Sequence, residues 1–335
     1  MPFDLAFIWA GIIAFAILIY VVLDGFDLGI GILFPFAKAE QDKNVMMNSV
    51  APVWDGNETW LVLGGGGLFA AFPLAYAVVM PALYMPITLM LLALIFRGVA
   101  FEYRWRTTRW KGVWDIAFAG GSTGAALMQG ITLGALVQGI EVTGRAYSGG
   151  WWDWLTPFSI LTGVAVVTGY ALLGATWLVM KTSDDLQNQM RRYSLYLAAA
   201  LLGFILIVSL ITPFLDPIYF QRWFNLPGSI LSGVVPSLVA LAAWHLFGGL
   251  KNHEHQAKPF ISALSLFVLC FIGIGISFYP HIVPPSLTIW QAAAPDASLE
   301  FALIGTVILM PLILGYSAYA YWVFRGKVDP NEGYH

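Results

Sequence analysis

Asp24 and Asp27 stand three residues apart inside VVLDGFDLGIGILFPF (residues 21–36), a stretch that otherwise reads as apolar membrane helix. A carboxylate at membrane depth costs at least about 2.5–3.5 kcal/mol on insertion scales, so two of them need a reason. The same spacing recurs at Asp55 and Glu58 in PVWDGNETWLVL, at the head of the next apolar run. Residues three apart share a helix face, so each pair points one way. Arg97 and Glu102 follow in LIFRGVAFEYR, and Asp115 in WKGVWDIAFAGG. Carboxylates exchange protons readily, and an arginine set among them holds part of the group ionised. The chemistry these residue types predict is proton transfer. Asp24, Asp27, Asp55, Glu58 and Asp115 form the expected proton path, with Arg97 as their charge partner.

The elements that must position them follow from composition. The chain has 335 residues, 59% hydrophobic and 10% charged, where a soluble domain carries about 25% charged residues. That composition predicts an all-α, polytopic integral membrane protein. Nine transmembrane helices are expected, over 5–35, 53–72, 76–101, 113–138, 157–180, 194–213, 227–249, 259–281 and 299–324. With that count, 14 of the 16 Lys and Arg residues fall on one side, leaving Arg145 and Arg222 opposite. The positive-inside rule then puts the N-terminus in the periplasm and the C-terminus in the cytoplasm. The start, MPFDLAFIW, carries no Lys or Arg before its apolar run and reads as a first span, not a cleaved signal. The chain is expected to be one membrane domain, 1–335. Within it, 1–138 is a first four-helix bundle with the acidic cluster, and 157–324 holds the remaining five helices.

Span direction fixes depth. At 1.5 Å per residue, Asp24 is about 28 Å and Asp27 about 33 Å along the first helix from its outer end. The second span starts inside at Asp55 and Glu58, the third ends inside at Arg97, and the fourth starts inside at Asp115. The six residues thus share one depth near the cytoplasmic face. The outer halves of these spans hold no ionisable residue beyond Asp4. Such a one-sided cluster suits proton uptake from the cytoplasm. Plainer roles compete: Asp55 and Asp115 also suit helix N-termini, and the GGGG run at 64–67 permits close helix packing and is no phosphate loop.

No redox centre is legible. His245 and His281 fall at opposite ends of neighbouring spans, and His253, His255 and His335 lie in a loop and the tail, so no haem or metal site is expected. Cys270, the single cysteine, reads as a core residue. A proton-coupled secondary transporter is one alternative, although such proteins place their carboxylates nearer the midplane. A purely structural partner subunit is another.

The segments DGFDLGIGILFPF, MMNSVAPVWDGNETWLV, LIFRGVAFEYR, VWDIAFAGG and VPPSLTIWQAAAP resemble subunit II of the bacterial cytochrome bd-type quinol oxidases, nearest the cyanide-insensitive branch. The resemblance covers essentially the whole chain. It implies a subunit of an oxygen-reducing enzyme of the inner membrane, with haems b and d and quinol oxidation carried by subunit I and no complete active site here. It implies a proton route through positions matching Asp27 and Asp55, and a bound quinone near Trp54, Asp55 and Arg97. Glu58 departs from the pattern, since some members carry Gln there. The partners implied are subunit I, small single-span subunits, lipid and quinone, with no nucleic acid.

Overall fold

The computed structural model describes residues 4–226 and 228–329. The order is α1 (Leu5–Leu33), α2 (Glu40–Asn48), α3 (Trp54–Ala71), α4 (Pro73–Ala82), α5 (Tyr84–Arg106), α6 (Lys111–Gln138), a hairpin of β1 (Val142–Thr143) and β2 (Ala146–Tyr147), and α7 (Pro157–Lys181). There follow α8 (Asp184–Ile211), α9 (Pro217–Phe224), α10 (Gly228–Lys251), α11 (Lys258–Phe278), a hairpin of β3 (His281–Val283) and β4 (Leu287–Thr288), α12 (Ile289–Ala292) and α13 (Asp296–Val323).

Local chemistry explains the limits of the helices that carry the site. Asp4 caps α1, its carboxylate accepting from the Phe7 N–H, and the helix runs 29 residues before Pro35 ends it in a short 3₁₀ turn. The third expected span, 76–101, is not one helix. Pro86 has no N–H for the Ala82 carbonyl, and Leu83, at φ −112°, ψ 21°, leaves the helical well between α4 and α5. The sixth span begins ten residues earlier than its apolar text, because Asp184 and Asp185 suit the first turn of α8. The loop expected at 36–52 contains α2.

Among the described residues, seven helices are long and apolar enough to cross a membrane: α1, α5, α7, α8, α10, α11 and α13. The expectation of nine also counted α3 and α6. Those two fall short because DGNET and four glycines dilute α3, while α6 carries Ser, Thr, Gln and many glycines.

The core lies where α1, α6 and α7 meet. Backbones touch there. A Cβ on Gly29 would overlap the Tyr170 carbonyl, one on Gly174 would strike the Gly29 backbone, and one on Gly31 would overlap the Ser122 hydroxyl. Beside this seam Phe26 stacks on Trp177 at 4.3 Å and meets Phe260 and Tyr321 edge-on. Packing on both sides of Asp24 and Asp27 therefore fixes the stretch of α1 that carries them. In α3, Gly64 and Gly67 abut Ile17 and Ile13 of α1, whereas Gly65 and Gly66 face open space.

Candidate functional site

Arg97, two and a half turns before the end of α5, is the centre of the cluster. Its side chain is fully buried, as are those of Asp24 and Asp27. Arg97 Nη1 lies 2.7 Å from Asp24 Oδ1 and 3.6 Å from Glu58 Oε2, and Nη2 lies 3.8 Å from Asp27 Oδ2. Three carboxylates thus surround one guanidinium. Removing a buried ion from water costs several kcal/mol, offset only where its partners are close. The indole of Trp54 covers the guanidinium at 5.9 Å and stacks on Phe101 at 4.7 Å with the rings 2° from parallel.

Uncharged residues complete the cluster. Asn57 donates to Asp27 Oδ2 at 2.7 Å and accepts from the Tyr321 hydroxyl at 2.8 Å, which ties α13 to α3 and α1. On the other side Gln129 bridges Tyr20 and Tyr170. Asp24 Oδ2, Asp27 Oδ1 and Arg97 Nε complete no hydrogen bond in the structure.

The expected residues separate into three positions. Asp24, Asp27, Glu58 and Arg97 come together. Glu58 is the one that reaches the surface, with 26% of its side chain exposed. Asp55 lies one turn before it on α3 and is exposed, making none of the cluster's ion pairs. Asp115 belongs elsewhere: its carboxylate takes Lys43 Nζ at 2.7 Å and Arg104 Nε at 2.6 Å. Arg104 is fully buried, donates also to Glu40 and Asn44 of α2, and lies 5.2 Å over Phe34. Lys111 pairs with the same Glu40. This second network fastens α2 across the ends of α5 and α6. Arg104, Asn57, Tyr20, Gln129, Tyr170 and Tyr321 were not read from the sequence. The usable signal was uncharged polar side chains inside apolar runs, Gln129 and Asn57 above all.

Among the described residues no group of three or more His, Cys, Asp or Glu side chains could hold a metal. His245 is exposed near the end of α10, His253 and His255 are exposed in the next connection, and His281 lies beyond the far end of α11. His335 lies outside the described residues.

A family profile described as cytochrome bd terminal oxidase subunit II matches residues 5–324. The chain is 30% identical to a probable cytochrome oxidase subunit 2 of Haemophilus influenzae, across 98% of this chain and 96% of that one. It is 30% identical, with the same coverage, to the cytochrome bd-I ubiquinol oxidase subunit 2 of Escherichia coli. The Bacillus subtilis cytochrome bd ubiquinol oxidase subunit 2 is 29% identical over 97% of both chains. A chain of the bd oxidase structure from Geobacillus thermodenitrificans superposes with a TM-score of 0.76 over 96% of this chain and 98% of that one, at 18% identity, which speaks to the fold.

Proposed function

This chain belongs to the cytochrome bd terminal oxidase subunit II family, and on that premise we propose that it holds a haem-bearing subunit I in place and carries protons from the cytoplasm toward the site of oxygen reduction. It is a multi-pass protein of the bacterial inner membrane and a subunit of a terminal oxidase. With α3 and α6 counted, nine helices cross the bilayer, the N-terminus outside and the C-terminus inside. The haems and the quinol-oxidising site lie on subunit I.

One observation carries the proton reading: acidic groups grade from solvent to full burial along one line. Asp55 is exposed, Glu58 is half-buried, and Asp24 and Asp27 are buried against Arg97. Reduction of oxygen to water consumes protons. Drawing them from inside, while quinol releases its own outside, builds a gradient without a pump. Each residue has a task. Asp55 gathers protons at the surface, Glu58 passes them inward, and Arg97 keeps the buried carboxylates from being stranded as unpaired charges. A transporter would need a substrate pocket beside the carboxylates. The space around Arg97 is filled by Trp54, Phe101 and Asn57 instead.

A quinone at this surface would meet Trp54 and Asp55. The Arg97 guanidinium lies behind Trp54 and is engaged by Asp24, so its part there is to fix the indole.

The test is oxygen consumption by the purified oxidase with excess quinol, across pH, with haem content measured alongside. Slow turnover at normal haem content in Asp27→Asn and Asp55→Asn supports the reading. Full turnover by both up to alkaline pH removes the cluster from the path, and loss of haem first makes it a structural network.

A further inference from the structure

Both oxygens of Asp24 are buried, and Arg97 Nη1 lies 2.7 Å from Oδ1 while Oδ2 completes no hydrogen bond in the structure. One turn earlier on α1, the Tyr20 hydroxyl faces this carboxylate. Tyr20 is buried, and its oxygen accepts from Gln129 Nε2 at 2.7 Å. Gln129, on α6, accepts in turn at Oε1 from the Tyr170 hydroxyl of α7, also at 2.7 Å. The Tyr170 ring is held in packing, beside Gly25, where a Cβ would approach it to 2.8 Å, and stacked on Phe267 with ring centroids 5.7 Å apart.

The direction of this chain follows from counting hydrogens. A phenol has one, and a primary amide offers donors on one end and an acceptor on the other. With the amide reversed, Tyr20 would give its only hydrogen to Gln129. Asp24 would then keep Arg97 but lose the phenol as a donor, and a buried oxygen left unsatisfied costs about 1–3 kcal/mol, more for a charged group. In the arrangement found, Tyr170 donates to Gln129, Gln129 donates to Tyr20, and the Tyr20 hydrogen is left for Asp24. Arg97 lies 2.7 Å from the same carboxylate. Asp27 is held differently. It sits 3.8 Å from Arg97 and accepts from the neutral amide of Asn57, itself bonded to Tyr321 of α13. Glu58 of α3 is 3.6 Å from Arg97.

We propose that Gln129 is a positioning residue that, clamped by Tyr170, commits the hydroxyl hydrogen of Tyr20 to Asp24, so that Asp24 remains the ionised partner of Arg97 while Asp27 and Glu58 carry the exchangeable proton of the cluster. The assignment of the moving proton rests on the proton-delivery reading above; the charge state of Asp24 does not. The chain also ends the path on this side. An amide does not readily take up and release a proton, so protons reaching Asp24 are not drawn off into the seam between α6 and α7.

The test is the infrared carbonyl band of protonated carboxylic acids in the purified oxidase complex, titrated over pH and checked by deuterium exchange. Asp24→Asn should leave the band of the unaltered complex in place, and Asp27→Asn or Glu58→Gln should diminish it. Gln129→Met, close in size and unable to donate, should add a new carboxylic band, as should Tyr20→Phe. That new band should vanish when Asp24→Asn is combined with either. Loss of the original band on Asp24→Asn alone overturns the proposal, and so does an unchanged carboxyl spectrum in Gln129→Met. Should the Asp24 variant fail to assemble, the Gln129→Met and Tyr20→Phe spectra decide by the same criterion, a new band or none. The spectrum is read on the resting complex. A blocked proton path leaves it standing, and an unaltered spectrum leaves the path standing.

Discussion

At the scale of single residues, two buried arginines organise the acidic end of this chain, and they do different things. Arg97 faces three carboxylates with few hydrogen bonds completed, whereas Arg104 is saturated by Asp115, Asn44 and Glu40. The first suits exchange of protons, the second suits fastening. Arg97→Ala leaves Asp24 and Asp27 buried without a cation, a change worth about 3–5 kcal/mol when a buried pair is broken from one side. The expected outcome is loss of assembled, haem-containing oxidase from membranes. Arg106→Ala, whose side chain is 78% exposed and pairs only with Glu102 across 3.4 Å, should leave the yield unchanged. Equal yields of the two variants would contradict the buried role. For proton delivery, Asp27→Asn should slow turnover with the defect growing as pH rises, since protons become scarce while the haems stay in place; oxygen consumption across pH reads this directly. The charged members of the site were legible in the sequence because a carboxylate in an apolar run is costly and conspicuous. Asp115 was expected beside Arg97 and belongs to a separate network. Its partners come from Lys43 and Arg104, and nothing in spacing along the chain tells which way around the bundle a side chain turns.

At the scale of elements, glycine decides how near α1 comes to α7. Gly29 and Gly174 let two backbones meet two residues beyond Asp27, so the seam and the acidic cluster share one stretch of helix. Gly29→Ala forces the backbones apart, an overpacking that costs about 1–3 kcal/mol or more. It should lower the thermal stability of the complex and, by shifting Asp27, its turnover. Gly65→Ala meets nothing within 4 Å in this chain and should not destabilise its own bundle. A thermal unfolding series of the two separates them. The β3–β4 hairpin offers a pH test. Burial, followed by the charge of Arg222, pushes the His281 imidazolium below its ordinary 6.5. As pH falls below 6.5 the unfolded segment takes a proton that the folded one refuses. The stabilisation is therefore present above that pH and is lost as pH drops through the lower folded value. Hydrogen exchange in β3 and β4 should quicken on mild acidification, and His281→Gln should flatten the dependence. Most helix positions were legible, because long apolar runs with caps such as Asp4 leave few choices. The break at Leu83, the early start of α8 and the whole of α2 were not. α2 has the polar sequence of a loop and is a helix because Arg104 gathers Glu40 and Asn44 onto one face.

At the scale of the whole molecule, the chain leaves much apolar surface uncovered, and it is unevenly spread. The apolar stretch of α7 is largely buried, while that of α13 is almost entirely uncovered. Along α13, Phe301, Ile304, Val307, Ile308 and Leu312 are all exposed, yet the helix is anchored to the site, since Tyr321 bonds Asn57 and the Phe324 carbonyl accepts from Lys181. A helix pinned at its C-terminal end and bare along its length is what a subunit presents to lipid and to a neighbouring subunit. Among the described residues, His245 and His281 stay apart, one near the C-terminal end of α10 and the other in β3, beyond α11. The prediction is an obligate partnership. Expressed alone, this chain should be recovered from membranes without stoichiometric haem and with low yield. Co-expressed with the haem-bearing subunit, it should be recovered in equal amount with it and with the visible spectrum of the oxidase. Absorption spectra and haem extraction on both preparations make the comparison. Stoichiometric haem on the chain alone would contradict the division of labour proposed here, and His245→Ala and His281→Ala would then identify the ligand. Haem in the co-purified complex that survives both substitutions places the iron on the partner.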